Sequence, residues 1–210
     1  MSARLPEIPS DTFARRLREL APESLSAETV AALFAHYEEL RRWNLRLSLV
    51  GPGTAEEVLE RHYGESLAAL PWIGPAGVLV DIGSGGGFPG LVLAAARPAV
   101  EVFLIEPRQR KWAFLQAAAR RAALPCRCLN VRVASPLPAG IPPRIDFVTV
   151  RAVKVAPELL TPLRPALSGR SRVLLWSGRE APEVPAGFVL ETEADLPRGE
   201  NRRLRIYRPS

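Results

Sequence analysis

The sequence predicts an α/β fold: a mostly parallel, doubly covered sheet with a helical prefix and a final antiparallel pairing. Three observations carry this. Short apolar runs alternate with helical patterns from Gly77 onward. The first run, Val78-Leu79-Val80-Asp81-Ile82, ends in an acid and a glycine-dense turn, Gly83-Ser84-Gly85-Gly86-Gly87-Phe88-Pro89-Gly90. No strand pattern precedes it, so roughly seventy residues of helix come first.

In chain order, Asp11 to Leu20 carries Phe13, Leu17 and Leu20 at helical spacing with arginines mostly opposite. Ser26 is placed to cap a longer helix reaching Leu47, with Val30, Leu33, Phe34, Tyr37 and Leu40 on its apolar face. Thr54-Ala55-Glu56-Glu57 fits a capping box before Val58, Leu59, Tyr63, Leu67 and Leu70. Strands are expected at Val78–Ile82, Glu101–Glu106, Cys126–Val131, Ile145–Val150 and Arg172–Trp176, with helices over Gly87–Ala96, Arg108–Ala123 and about Pro157–Pro165. Phe188–Thr192 and Leu204–Tyr207 read as two closing strands of a charged hairpin. The expected division is a helical extension over 1–73 packed on an α/β domain over 74–210.

The 210 residues, 47% hydrophobic and 24% charged, suit a globular chain. No apolar stretch approaches the ~18 residues of a membrane span, and the start has no secretory signal. A cytoplasmic protein without a membrane partner is expected. Cys126 and Cys128 lack a nearby histidine, so they read as ordinary thiols and no metal site is expected. The net charge of +6 is carried almost wholly by arginine, a side chain that stacks on bases and forks onto phosphates.

The glycine turn fits two ligands. Gly85 to Gly90 has the G-x-G-x-x-G spacing of a dinucleotide fold. In that fold, however, the first glycine follows the strand directly, whereas here Asp81 and Gly83 intervene. An acid at the strand end repels pyrophosphate and suits the cationic amino-acid end of S-adenosylmethionine. Glu106, closing the second strand, is placed for ribose hydroxyls with either cofactor. Asp81 therefore favours a methyltransferase.

Beyond the turn, Trp43-Asn44-Leu45, His62 with Glu65-Ser66-Leu67, Arg110-Lys111-Trp112-Ala113-Phe114-Leu115 and Asp146-Phe147-Val148-Thr149-Val150-Arg151-Ala152-Val153 extend the pattern. Together with Phe88-Pro89-Gly90, these stretches resemble the bacterial small-subunit ribosomal RNA methyltransferase G family (RsmG/GidB). The resemblance implies a class I S-adenosylmethionine-dependent methyltransferase fold and methylation of N7 of a guanine in the decoding-region loop of 16S rRNA. It implies 16S rRNA or the 30S subunit as partner, and a monomer. It places Gly83 and Phe88 at the cofactor, Val133 and Ala134 at the adenine, and Arg151 in the site, beside Asp81, Gly85 and Glu106. Arg132 also matches a family arginine; with Arg151 it is assigned to positioning the substrate. The chain departs from the family at Ala134, usually Glu; at Glu65, usually Asp; at Trp176-Ser177, where a lysine is lost; and at Leu47-Ser48-Leu49.

N7 of guanine holds a free lone pair, so no general base is expected. His62 is read as a helix-face residue touching the cofactor domain, and His36 as exposed or packing. Trp43 and Phe114 read as core. The run Arg198, Arg202, Arg203, Arg205 and Arg208 has two readings, a grip on rRNA phosphate or a solvated antiparallel edge protected by charge. Two other functions fit the turn alone or its departures: a class I methyltransferase acting on a small molecule or protein, and a non-catalytic RNA-binding relative.

Overall fold

The computed structural model describes residues 4–153, 157–197 and 201–210. Two helices open the chain, α1 (Ser10–Leu20) and α2 (Ala27–Leu47), the latter capped as expected by the Ser26 side chain, which accepts from Thr29 N. The Thr54 capping box is complete and starts α3 (Ala55–Val58). This helix continues through a π-helical stretch, Leu59–Gly64, into α4 (Glu65–Leu67) and a 3-10 turn, Leu70–Trp72. A π stretch rotates the residues after it relative to a regular helix, and such stretches gather at functional sites. Here it carries Arg61, His62 and Tyr63.

The sheet follows: β1 (Ala76–Ile82), α5 (Gly90–Ala96), β2 (Ala99–Ile105), α6 (Gln109–Arg121), β3 (Arg127–Leu129), β4 (Ile145–Val150), α7 (Pro157–Leu160), a 3-10 helix (Thr161–Ala166), β5 (Leu167–Gly178), β6 (Phe188–Asp195) and β7 (Arg202–Pro209). Seven strands lie in the order β3-β2-β1-β4-β5-β7-β6. All pairings are parallel except those of β7 with β5 and β6. The order reverses between β1 and β4, and ligands of open α/β sheets bind outside the strand C-termini at such a point.

Alternation along the strands sorts the core into two layers. Leu79, Leu104, Phe147, Leu174 and Leu204 face the N-terminal helices, α5 and α6. Val80, Ile105, Val148, Val173 and Leu175 face the opposite layer with Leu160 and Leu163. α2 packs on both α5 and α6, and Phe13, Tyr37 and Tyr63 are fully buried between the N-terminal helices.

Two sequence expectations are corrected. α5 starts at Gly90 rather than Gly87, because Gly87 is left-handed at φ +85° and holds the chain in the turn. The arginine-rich strand is not an edge: β7 lies inside the sheet, between β5 and β6, and β6 is the edge. A hairpin pattern gives the pairing of two strands but not which of them inserts beside a third.

Candidate active site

The end of β1 turns sharply. Gly83 N and Ser84 N both donate to the carbonyl of Ile105, at 2.8 and 3.1 Å, tying the turn to the end of β2. Gly83 sits at φ +72°, and a Cβ there would lie 2.4 Å from Val153 Cγ2. Conformation and space therefore both require glycine. Gly90 is held by space alone: a Cβ would lie 2.4 Å from Leu104 Cδ2 and 2.6 Å from Asp81 Oδ2. Glu106 is buried, its Oε2 accepting from Gly85 N at 3.1 Å and its Oε1 from Arg108 N at 2.9 Å.

A cavity of about 1090 Å³ opens over this turn. Gly83, Gly85, Phe88, Glu106, Val133, Arg132 and Arg151 all line it. Asp81 and Ala134 do not. Strand alternation sends the Asp81 side chain into the helix-side layer, fully buried, where Thr149 Oγ1 donates to Oδ1 at 2.7 Å. Its Oδ2 faces the first residue of α5 with no well-formed hydrogen bond, and burial pushes the carboxyl up to about 6. The acid that discriminated between ligands in the sequence thus lies beneath the turn and does not line the cavity. Ala134 is exposed, just past the buried Val133.

The far wall comes from the helical extension and the ends of β4, β5 and β7. Glu65, 1% exposed, reaches Arg151 Nη2 with Oε2 at 2.9 Å and Arg202 Nη1 with Oε1 at 2.6 Å. Arg151 also donates to the carbonyl of Arg61. Trp176 Nε1 donates to the Glu65 carbonyl at 2.9 Å. Two of the departures from the family pattern, Glu65 and Trp176, are therefore bonded to each other. Burial raises the Glu65 carboxyl, and Arg151, Arg202 and Arg61 pull it back.

Aromatic packing joins this wall to the turn. The Phe88 ring is stacked on His62, with centroids 5.0 Å apart, and meets Tyr63 and His36 edge-on at 5.0 and 5.1 Å. Burial and the charge of Arg151 hold His62 down at about 3. His36 is fully buried, held at about 4 by desolvation, and bonded to Gly86 O and the Tyr63 hydroxyl. Its contact with the turn was missed, although its spacing from Leu33 and Leu40 already placed it on the inward face of α2.

The C-terminal arginines are engaged within the fold. Arg203 pairs with Glu193 and Asp195, Arg205 with Glu193, and Arg208 with Glu191, while Arg202 reaches Glu65. Arg205, 4% exposed, also donates to three carbonyls, of Gly178, Arg179 and Glu180. Arg198 lies outside the described residues. Cys126 and Cys128 are free and half-buried. Among the described residues no helix is long and apolar enough to cross a membrane.

Residues 29–184 match the family described as rRNA small subunit methyltransferase G (GidB). This chain belongs to that family. The protein named ribosomal RNA small subunit methyltransferase G from Methylobacterium sp. (strain 4-46) is 39% identical over 178 residues, 83% of this chain and 81% of its own length. The protein of the same name from Paramagnetospirillum magneticum is 38% identical over 163 residues, 77% of each chain. Among solved structures, a SAM dependent methyltransferase from Aquifex aeolicus superposes with a TM-score of 0.58 at 14% identity, over 73% of this chain and 93% of that one. TrmN from Thermus thermophilus gives 0.58 at 19%, over 72% and 53%. At these identities the structures speak for the fold: the class I methyltransferase sheet.

S-adenosylmethionine is the cofactor of this rRNA methyltransferase G relative, and the site fits it. The turn opens backbone onto the cavity where a side chain at Gly83 would collide. Glu106 stands at the C-terminal end of β2, where a carboxylate accepts from ribose hydroxyls.

Proposed function

We propose that the protein transfers the methyl group of S-adenosylmethionine to N7 of a guanine in the decoding-region loop of 16S rRNA, presented as the free RNA or within the 30S subunit. The observation that carries this reading is that the bases at the site are already engaged. Both His36 nitrogens are hydrogen-bonded, to Gly86 O and the Tyr63 hydroxyl, and the His62 ring is stacked on Phe88. The chain has two histidines, held at about 4 and about 3, so neither is suited to take a proton near neutrality. The Glu65 carboxylate is committed to two arginines. A nucleophile that must lose a proton is poorly served here. The N7 lone pair is not: it forms the new N–C bond, the S–C bonding pair leaves with sulfur, and no proton moves.

The cofactor supplies an electrophilic methyl on a sulfonium. Gly83, Gly85, Phe88, Glu106 and Val133 are its proposed contacts, with Ala134 at the exposed margin. Asp81 acts on its cationic end through the field below the turn. Arg151 and Arg132 orient the base or its flanking phosphates; an arginine on N7 itself would compete with attack, whereas one on O6 would not. Fixing nucleophile and electrophile in line removes up to about 7–11 kcal/mol of barrier in the best intramolecular cases, so positioning is a sufficient mechanism. In this reading residues 1–73 are a helical extension packed on a methyltransferase domain over 74–210, and the protein works as a cytoplasmic monomer.

The test is to incubate the protein with labelled cofactor and unmodified 30S subunits or 16S rRNA, digest, and identify the nucleoside. Label in 7-methylguanosine at one site is the expected result; label on another atom or on no RNA overturns it.

A further inference from the structure

The arginines that look most like an RNA grip, those of β7, are each ion-paired within the fold. Among the described residues, cavity-lining cations without an ion pair include Arg61 on the far wall and a cluster on the α6 side. Arg108, Lys111 and Arg132 line the rim of the cavity beside Glu106, and Arg110 shares the first turn of α6 with Lys111. Arg108, Arg110 and Arg132 are exposed, and none of the four side chains makes an ion pair or hydrogen bond among the described residues. The one carboxylate at hand, Glu106, is buried and occupied by Gly85 N and Arg108 N.

Their placement opposes the stability of the fold. The first turn of α6 holds no acid, and its N-cap, Arg108, makes no side-chain cap. Cations there meet the positive end of the helix dipole and one another, an arrangement that weakens the helix in isolation. A polyanion reverses both penalties at once, because the charges and the free backbone N–H groups then point at phosphate.

We propose that Arg108, Arg110, Lys111 and Arg132 form the surface that receives the sugar-phosphate backbone of the RNA, leading the strand over the rim to the cavity, and that β7 takes no part in this. The proposal rests on the RNA-substrate reading above. RNA therefore enters from the α6–β3 side, and Glu65, Arg151 and Arg202 meet the base from the opposite wall.

The experiment compares wild type, the double variant Arg108→Gln/Arg110→Gln and the β7 variant Arg208→Gln. Binding to an unmodified 16S rRNA transcript is measured at salt from about 50 to 200 mM, alongside cofactor binding by calorimetry and thermal melting. Each lost phosphate contact reduces the log–log salt slope by about 0.7 for single-stranded RNA. The double variant is expected to lose one to two such contacts, bind cofactor as wild type does, and melt at the same temperature or higher. Arg208→Gln keeps the wild-type slope. An unchanged slope in the double variant, an equal loss in Arg208→Gln, or a loss confined to cofactor affinity overturns the proposal. The methylation assay on wild type separates the two readings. A wild type that methylates while the double variant binds RNA normally refutes the surface alone. A wild type that binds through this surface without methylating refutes the reaction alone, and one that binds no RNA refutes both.

Discussion

His36 donates from Nε2 to the carbonyl of Gly86 at 3.0 Å, which assigns its tautomer, because a carbonyl can only accept. Nδ1 is then the acceptor for the Tyr63 hydroxyl at 2.9 Å. A chain of two hydrogen bonds thus runs from the π-helical stretch through α2 to the cofactor turn. The helical extension is thus hydrogen-bonded to the turn that floors the cavity, and not only packed beside it.

The first prediction follows from the geometry of that chain. Gln places a donor near the position of imidazole Nε2, so His36→Gln should keep cofactor affinity within a few-fold of wild type. His36→Leu leaves a buried carbonyl without a partner, a cost of about 1–3 kcal/mol, on the order of a tenfold or greater loss of cofactor affinity. Calorimetry with S-adenosylmethionine reads both. Equal affinities for the two variants would show that the hydrogen bond does not hold the turn.

Gly83→Asp should abolish cofactor binding. Its Cβ would meet Val153 Cγ2 at 2.4 Å, its φ of +72° disfavours any L side chain by about 1–3 kcal/mol, and its carboxylate would enter the cavity. Equilibrium binding decides this, with circular dichroism to establish that the variant is folded. A folded variant with wild-type affinity would remove the turn from the site.

The strands that pair in parallel were the most legible elements in the sequence: β4 has the bounds its apolar run indicates, Ile145–Val150, because a strand buried on both faces declares itself by composition. The caps of α2 and α3 were equally plain, since Ser26 and Thr54 act on residues three positions away. What depends on the third dimension was not. Asp81 reads as a ligand-facing acid from its position at the strand end, but the pleat alternates, and the face opposite Val80 is the helical layer. The β7 arginines read as free until Glu191 and Glu193, on the partner strand, come beside them. Glu65, Arg151, Arg202 and Trp176 come from separate segments, and no local spacing announces their meeting.

Asp81 gives a pH prediction with a definite sign. Its carboxyl titrates near 6 in the fold against a reference of 3.8, so the folded protein holds this proton more tightly than the unfolded chain. The contribution is fully favourable below pH 3.8 and is lost as pH rises through 6. Above that, the buried carboxylate costs roughly 3 kcal/mol. Asp81→Asn should therefore be more stable than wild type at about pH 8, with the advantage fading towards about pH 4, as measured by urea melts. The same variant should bind S-adenosylmethionine more weakly, because the charge beneath the turn is gone. A variant with neither change would make Asp81 a bystander.

Arg151 carries the last prediction. Its side chain is 10% exposed and bound to a carboxylate that is 1% exposed, so each partner depends on the other. Removing one member of such a buried pair typically costs about 3–5 kcal/mol, because the charge left behind is uncompensated. Glu65→Ala should accordingly destabilise the protein more than Arg151→Ala does, since Glu65 leaves two guanidiniums, Arg151 and Arg202, without their shared carboxylate, whereas Arg151→Ala leaves Glu65 still paired to Arg202. Function should split the other way. Arg151→Ala keeps the turn, Glu106 and the His36 contact, so cofactor affinity should stay near wild type while turnover on rRNA falls by about 10²-fold, the scale of a misplaced reactant. Single-turnover methylation at saturating RNA, set beside calorimetric cofactor affinity, separates the two effects. A loss of cofactor affinity with normal turnover at saturation would move Arg151 from the substrate wall to the cofactor wall, and the opposition between the two sides of the cavity would have to be redrawn.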